Sequence, residues 1–123
     1  MTRFARFAAV FAFALLIAAC GRGEDKTVIN YCKALEAGKL DTAASYLSRD
    51  ARKALDMSGG ISRLSQAGAA FKQHKGIDEI KITKRDMAGD RAMISFVYRF
   101  KDGLEVSDYF PLVKEDGAWK ISR

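Results

Sequence analysis

A change in the spacing of apolar residues at Gly76 most constrains what this chain of 123 residues can fold into. Before Gly76, apolar side chains recur every three or four residues, which is the period of a helix; after it they alternate, which is the period of a strand. Helices are therefore predicted in the first half and strands in the second, the order typical of an α+β domain. A chain of this length allows one such domain.

Four amphipathic segments are predicted to be helical, and they span 27–35, 41–47, 48–57 and 61–75. Gly38 is expected to end the first helix, and Asp41 to cap the start of the second with its carboxylate. Gly76 ends the last segment.

Four strands are predicted, around 79–83, 91–100, 104–113 and 118–122. The short, glycine-containing connections between them favour hairpins, so the sheet is expected to be a four-stranded antiparallel meander against which the helices pack. A three-residue turn that pairs Phe100 with Leu104, with Gly103 in a left-handed conformation, puts the apolar residues of both strands on one face. The resulting pairs are Tyr98 with Val106, Ile94 with Phe110, Ala92 with Leu112 and Arg99 with Glu105. The other face stays half apolar through Met93, Val97, Tyr109 and Val113, and is a possible homodimer surface.

The N-terminus has the pattern of a secretory signal. Arg3 and Arg6 precede an uninterrupted apolar run over 7–19, and small residues lead into Cys20. A membrane-spanning helix needs about 20 apolar residues, so this run is too short and residues 1–19 are predicted to be removed.

Ile17-Ala18-Ala19-Cys20 resembles the lipobox of bacterial lipoproteins. This resemblance implies a mature chain that begins at Cys20, with a diacylglyceryl group on its thiol and a further acyl chain, such as palmitate, on its amino group. Two or more acyl chains attach a protein stably to a lipid bilayer. An uncleaved signal anchor and ordinary secretion are the alternatives. Residues 20–24 then form a short tether and residues 25–123 the folded domain.

The same resemblance indicates a location in the cell envelope. In lipoproteins of bacteria with two membranes, an Asp after the cysteine commonly signals retention at the inner membrane, so Gly21 favours the periplasmic side of the outer membrane. Loss of Arg3 and Arg6 lowers the net charge from +6 to +4. Although a basic chain could bind polyanions, export argues against a nucleic acid partner.

Two longer stretches carry a second resemblance, "VINYCKALEAGKLDTAASYLSRDAR" and "KEDGAWKIS". They are similar to small bacterial lipoprotein domains of unknown function in the nuclear-transport-factor-2-like superfamily, over residues 24–123. The resemblance implies helices on a strongly curved sheet, which together form a cone with a pocket inside. It does not imply one activity, because enzymes, binding modules and structural proteins share this fold.

Asp108 is the candidate catalytic residue. The predicted register places it opposite Phe96 on the apolar face, where desolvation would raise the pKa of its carboxyl group. Enzymes of the resembling fold, such as ketosteroid isomerases and scytalone dehydratases, use an Asp or His inside the cone for proton transfer. Tyr31, Tyr46 and Tyr98 complete the predicted pocket as hydroxyl donors. The simpler interpretation is that Asp108 only accepts hydrogen bonds at the pocket rim, or turns outward at a bulge.

The other reactive side chains favour structural roles. Cys32 lies on the apolar stripe of the first helix and is predicted to be a buried, inert thiol, with an intermolecular disulfide as the alternative. His74 is expected to face solvent at the end of the last helix. With one histidine and no cysteine pair, no metal site is predicted, and no cofactor is expected. Trp119 and Ile121 are expected to be buried on the last strand.

These observations favour a membrane-anchored, non-enzymatic binding or scaffolding module of the cell envelope. Its predicted partners are the bilayer, reached through acylated Cys20, and a small-molecule ligand or a second copy of the chain. The alternative is a small isomerase or dehydratase that uses Asp108 as its general base.

Overall fold

The computed structural model describes residues 23–122, and the predicted signal peptide and Cys20 lie outside this range. The helices are α1 (Gly23–Glu36), α2 (Leu40–Ser45), α3 (Arg49–Met57) and α4 (Ile61–Gln73). The strands are β1 (Ile77–Ala88), β2 (Arg91–Phe100), β3 (Glu105–Glu115) and β4 (Ala118–Ile121), in an antiparallel sheet of order β1-β2-β3-β4. The predicted α+β fold is confirmed.

The helix starts differ from the sequence-based expectation. The first helix begins at Gly23, four residues before Thr27. Asp41 does not cap α2: it lies inside the first turn, and the capping position belongs to Lys39, whose side chain makes no capping hydrogen bond. A carboxylate in the first turn still interacts favourably with the helix dipole, which accounts for the misleading signal. A side-chain cap is found one helix later, where Ser48 Oγ accepts the Ala51 N–H at 3.1 Å.

The register between β2 and β3 is the predicted one. Phe100 N–H donates to the Leu104 carbonyl at 2.8 Å, and Gly103 adopts a φ of 95°. The pairs Tyr98–Val106, Ile94–Phe110, Ala92–Leu112 and Arg99–Glu105 all form. The first strand is much longer than predicted, because it continues through Ala88. Register shifts interrupt its pairing with β2 between Ile77 and Glu79 and between Ile82 and Lys84. These irregularities bend the sheet locally.

The core lies between the helices and one face of the sheet. Ile94, Phe96, Leu112 and Ile121 are at most 1% exposed and belong to the same apolar cluster as Val28 of α1. The outer edge of β4 is covered by the chain between α2 and α3. Ile121 N–H donates to the Tyr46 carbonyl, and Ser48 N–H donates to the Ile121 carbonyl, both at 2.8 Å.

Trp119 departs from the prediction, because it is half-buried whereas Ile121 is fully buried. Its strand has only four residues and lies at the edge of the sheet. Gly23 lies against one side of the ring, and the Lys114 ammonium is 5.6 Å from the ring centroid. A ring of this size is not fully covered at such an edge.

None of the helices between residues 23 and 122 is long and apolar enough to cross a membrane.

Candidate functional site: an apolar cavity between α3 and α4

A cavity of about 380 Å³ opens between α3 and α4, above α1. This volume lies at the lower end of the range of about 300–1,000 Å³ typical of small-molecule sites. Its apolar lining consists of Leu47, Ala51, Ala54, Leu55, Leu64 and Ala67. Small-molecule sites are commonly apolar with a few polar groups, and this cavity has that character.

The spacing of small residues on the two helices explains the open volume. Ala51, Ala54 and Leu55 recur at the interval that places them on one face of α3, and Leu64 and Ala67 do the same on α4. Because three of these five side chains are single methyl groups, the facing helices leave space that larger side chains would fill. The sequence analysis gave these alanines no role, because spacing on one helix does not show whether two facing helices fill the space between them.

Tyr31 of α1 contributes to the cavity wall. Its ring packs edge-on against Phe110 of β3, with centroids 5.6 Å apart, and it is 9% exposed. Burial raises the pKa of the Tyr31 hydroxyl to about 12, and the neighbouring Cys32 adds to this effect. The phenol therefore stays protonated at neutral pH and can donate a hydrogen bond to a ligand.

Ser58 and Arg63 form the polar rim of the cavity. Arg63 Nη1 donates to Ser58 Oγ at 3.0 Å, and Ser58 Oγ donates to the Ala54 carbonyl at 2.8 Å. The turn between them contains Gly59, whose φ is 120°. A methyl group at Gly59 would approach Arg63 Cγ to 3.2 Å, so the arginine stem lies directly over this turn. The guanidinium is thereby held at the cavity mouth.

Asp108 lies where the register predicts, opposite Phe96 on the core face of β3. It is half-buried rather than fully desolvated, and one carboxylate oxygen accepts the Tyr109 N–H at 2.8 Å. Burial raises the pKa of Cys32 to about 12, and the charge of Asp108 adds to that rise. Burial and, next, Asp108 also raise the pKa of Tyr98. Asp108 is not among the residues that line the cavity.

Of the four predicted pocket residues, Tyr31 lines the cavity, whereas Tyr46, Tyr98 and Asp108 do not. The charge of Asp108 acts on both Cys32 and Tyr98, so these three side chains lie near one another. The main chain of Tyr46 lies next to Ile121, whose partner on β3 is Leu112. Leu112 is four residues from Asp108, about 13 Å along a strand.

Sequence analysis missed the Ser58–Arg63 rim, because a serine and an arginine five residues apart form no recognised motif.

The sequence suggested that His74 faces solvent, but in the structure the residue is half-buried. Its Nδ1 lies 2.8 Å from an Asp102 carboxylate oxygen, and its ring stacks on Phe100 with centroids 4.8 Å apart. The Leu104 N–H and then His74 lower the pKa of Asp102. This contact joins the end of α4 to the β2–β3 turn.

Across residues 23–122, no group of three or more His, Cys, Asp or Glu side chains is arranged to hold a metal ion.

The outer face of the sheet exposes Met93 by 37% and Tyr109 by 48%. Arg99 on this face binds Asp78 at 3.0 Å and Glu79 at 2.9 Å. A homodimer through this face stays a prediction.

Comparisons with known proteins give a family and a fold. The family described as "Domain of unknown function (DUF4878)" matches residues 18–122. A crystal structure from Campylobacter jejuni, described as an NTF2-like transpeptidase, aligns with a TM-score of 0.69 at 20% identity, covering 83% of this chain and 99% of that one. The solution structure of RPA3114, a SEC-C motif protein from Rhodopseudomonas palustris, aligns with a TM-score of 0.49 at 18% identity, covering 74% and 68%. No curated protein matches the chain.

Proposed function

Because the chain belongs to the DUF4878 family of unknown function and has the NTF2-like fold, we propose a role for it from its own geometry. It is a non-enzymatic binding module, tethered to a membrane of the bacterial cell envelope, and its ligand site is the cavity between α3 and α4. The observation that carries the binding role is the cavity itself, which combines apolar walls with a polar rim at Ser58 and Arg63.

The tether is supported by the lipobox-like residues before Cys20 and by the position of α1. Only Gly21 and Arg22 separate Cys20 from the start of α1 at Gly23, a distance of at most about 10 Å. The first turn of α1 is fixed to the sheet, because Arg85 of β1 binds both carboxylate oxygens of Asp25. With acyl chains on Cys20, the folded body lies against the lipid surface, on the periplasmic side of the outer membrane if the organism has two membranes.

Cell fractionation tests the tether. The wild type and the matched control Cys32→Ala, which removes the other cysteine, are expected in the membrane fraction and to resist extraction by salt. Cys20→Ser is expected in the soluble fraction, and the intact mass of the wild type should show an acylated chain that begins at Cys20. An identical distribution of wild type and Cys20→Ser would contradict this part of the proposal.

A neutral apolar fluorophore, N-phenylnaphthylamine, tests the cavity. Its emission should rise saturably on addition to the Cys20→Ser chain, which avoids the need for detergent. Ala54→Leu adds bulk to the cavity wall at an exposed position and should weaken binding, whereas Ala70→Leu, also exposed but outside the cavity lining, should not. Equal binding by both variants would remove the cavity as the site.

A second candidate function is proton transfer by Asp108, because this carboxylate occupies the core face beside Tyr98 and Cys32. It ranks second because Asp108 does not line the cavity and because a general base alone contributes only about 10²–10⁴ in rate. Asp108→Asn should leave fluorophore binding unchanged under the first proposal. Turnover of a ketosteroid substrate that disappears in Asp108→Asn would favour the second.

A further inference from the structure

We infer that the cavity takes a single-chain amphiphile with an anionic headgroup, a carboxylate or a phosphate, and that Arg63 binds this headgroup. The inference rests on the proposed function, in which the cavity is a ligand site, and it adds the chemical class of the ligand. It depends on three features of the cavity: the composition of its walls, its single charged side chain and the way that side chain is held.

The walls suit a hydrocarbon chain. Leu47, Leu55 and Leu64 supply branched aliphatic surface, and the alanines supply the remaining volume. Leu64 and Ala51 are 5% and 7% exposed and belong to the apolar core, so this part of the cavity wall is core surface. Burial of apolar ligand surface there would favour binding.

Among the described residues that line the cavity, Arg63 is the one with a charged side chain. Within residues 23–122, its guanidinium forms no ion pair, which is also true of Arg52 and Arg91, whereas Arg49, Arg85 and Arg99 each bind at least one carboxylate. Of the three unpaired arginines, Arg63 is the one that lines the cavity. A guanidinium has five N–H donors, and the contact with Ser58 uses one of them. The others remain for an oxyanion, which a guanidinium can bind through two parallel hydrogen bonds.

The position of Arg63 joins the apolar walls and the unpaired guanidinium into one site. Its stem packs over the turn at Gly59, and its tip is held by Ser58, so the cation lies where an apolar chain would leave the cavity. A ligand with an anionic head and an apolar chain matches both the rim and the walls. A neutral apolar molecule would match only the walls.

Displacement of N-phenylnaphthylamine from the Cys20→Ser chain tests the inference with three ligands of equal chain length. Decanoate and decyl phosphate should compete about tenfold better than decanol, a factor that corresponds to about 1.4 kcal/mol. Arg63→Gln should abolish this preference, whereas Arg52→Gln, an exposed arginine on α3 outside the cavity lining, should retain it. The stronger of the two anions identifies the source, a free fatty acid or a phospholipid-type headgroup.

Two further measurements keep the test decisive. Arg63→Lys keeps the charge and should retain part of the preference for the anions. In the Cys20→Ser chain itself, added salt should weaken decanoate binding more than decanol binding, and this measurement does not require Arg63→Gln to fold. Equal competition by decanoate and decanol, or a preference that survives in folded Arg63→Gln, overturns the inference and leaves the cavity as a neutral apolar site. If the fluorophore does not bind the Cys20→Ser chain at all, the proposed function itself fails.

Discussion

At the scale of single residues, Gly68 sets the distance between two helices. A methyl group built on Gly68 of α4 would lie 2.4 Å from the carbonyl oxygen of Leu35 in α1. Gly68 has helical spacing with Leu64 and Phe71 in the sequence, but this spacing could not show that the group facing Gly68 is backbone. Backbone contacts of this kind depend on the tertiary arrangement and leave no periodic signal.

Gly68→Ala should therefore lower the free energy of unfolding by about 1–3 kcal/mol, because α4 must move away from α1. This loss should appear even though alanine is the better helix former. Urea denaturation followed by Trp119 fluorescence measures it, and Ser65→Ala, an exposed change on the same helix, is the control. A Gly68→Ala protein as stable as wild type would show that the close contact is absent.

Cys32 gives a second prediction at this scale. Burial raises the pKa of its thiol to about 12, so at pH 8 almost no thiolate is present, and the side chain is 2% exposed. In the Cys20→Ser chain, which contains no other cysteine, a thiol reagent should react only when the protein unfolds. Rapid labelling of the folded protein would contradict both the burial and the predicted inert role.

At the scale of the elements, the sheet was more predictable than the helices. The β2–β3 register followed from the requirement that one face be apolar, since a shift by one residue would place charged side chains in the core. The start of α1 and the cap of α2 were not predictable, because Gly23 has no strong helical preference and Asp41 favours both the cap and the first turn. The length of β1 was missed because its last half, from Thr83, is exposed on both faces and has no alternating pattern.

The contact between α4 and the β2–β3 turn predicts a pH dependence. The pKa of Asp102 is lower in the folded protein than the value of about 3.9 for an unfolded aspartate. Its ionised form is therefore favoured by folding, so this stabilisation is present above about pH 4 and is lost as the pH falls through the lowered folded value. Asp102→Asn should flatten the decline of unfolding free energy below about pH 4, measured by urea denaturation at a series of pH values. Asp56→Asn, a change in an exposed aspartate on α3, is the control, and the same acid dependence in Asp102→Asn and wild type would contradict the prediction.

At the scale of the whole molecule, the sequence predicted the fold class and the structure supplied the candidate site. The switch of hydrophobic period at Gly76 predicted helices before strands, and the four helices followed by four strands within residues 23–122 confirm it. The cavity could not be predicted, because it arises where Ala51 and Ala54 of α3 face Ala67 of α4, and no local pattern shows which side chains two helices leave unpacked. Attachment to the membrane stays a prediction from the residues around Cys20.

The most direct test of the cavity as the ligand site is methyl NMR of the Cys20→Ser chain labelled at alanine, with N-phenylnaphthylamine as the titrant. We predict saturable shifts at Ala51, Ala54 and Ala67, which line the cavity, and none at Ala88 and Ala118, which do not. Absence of saturable shifts at the three cavity alanines, with or without shifts at the sheet alanines, would contradict the account.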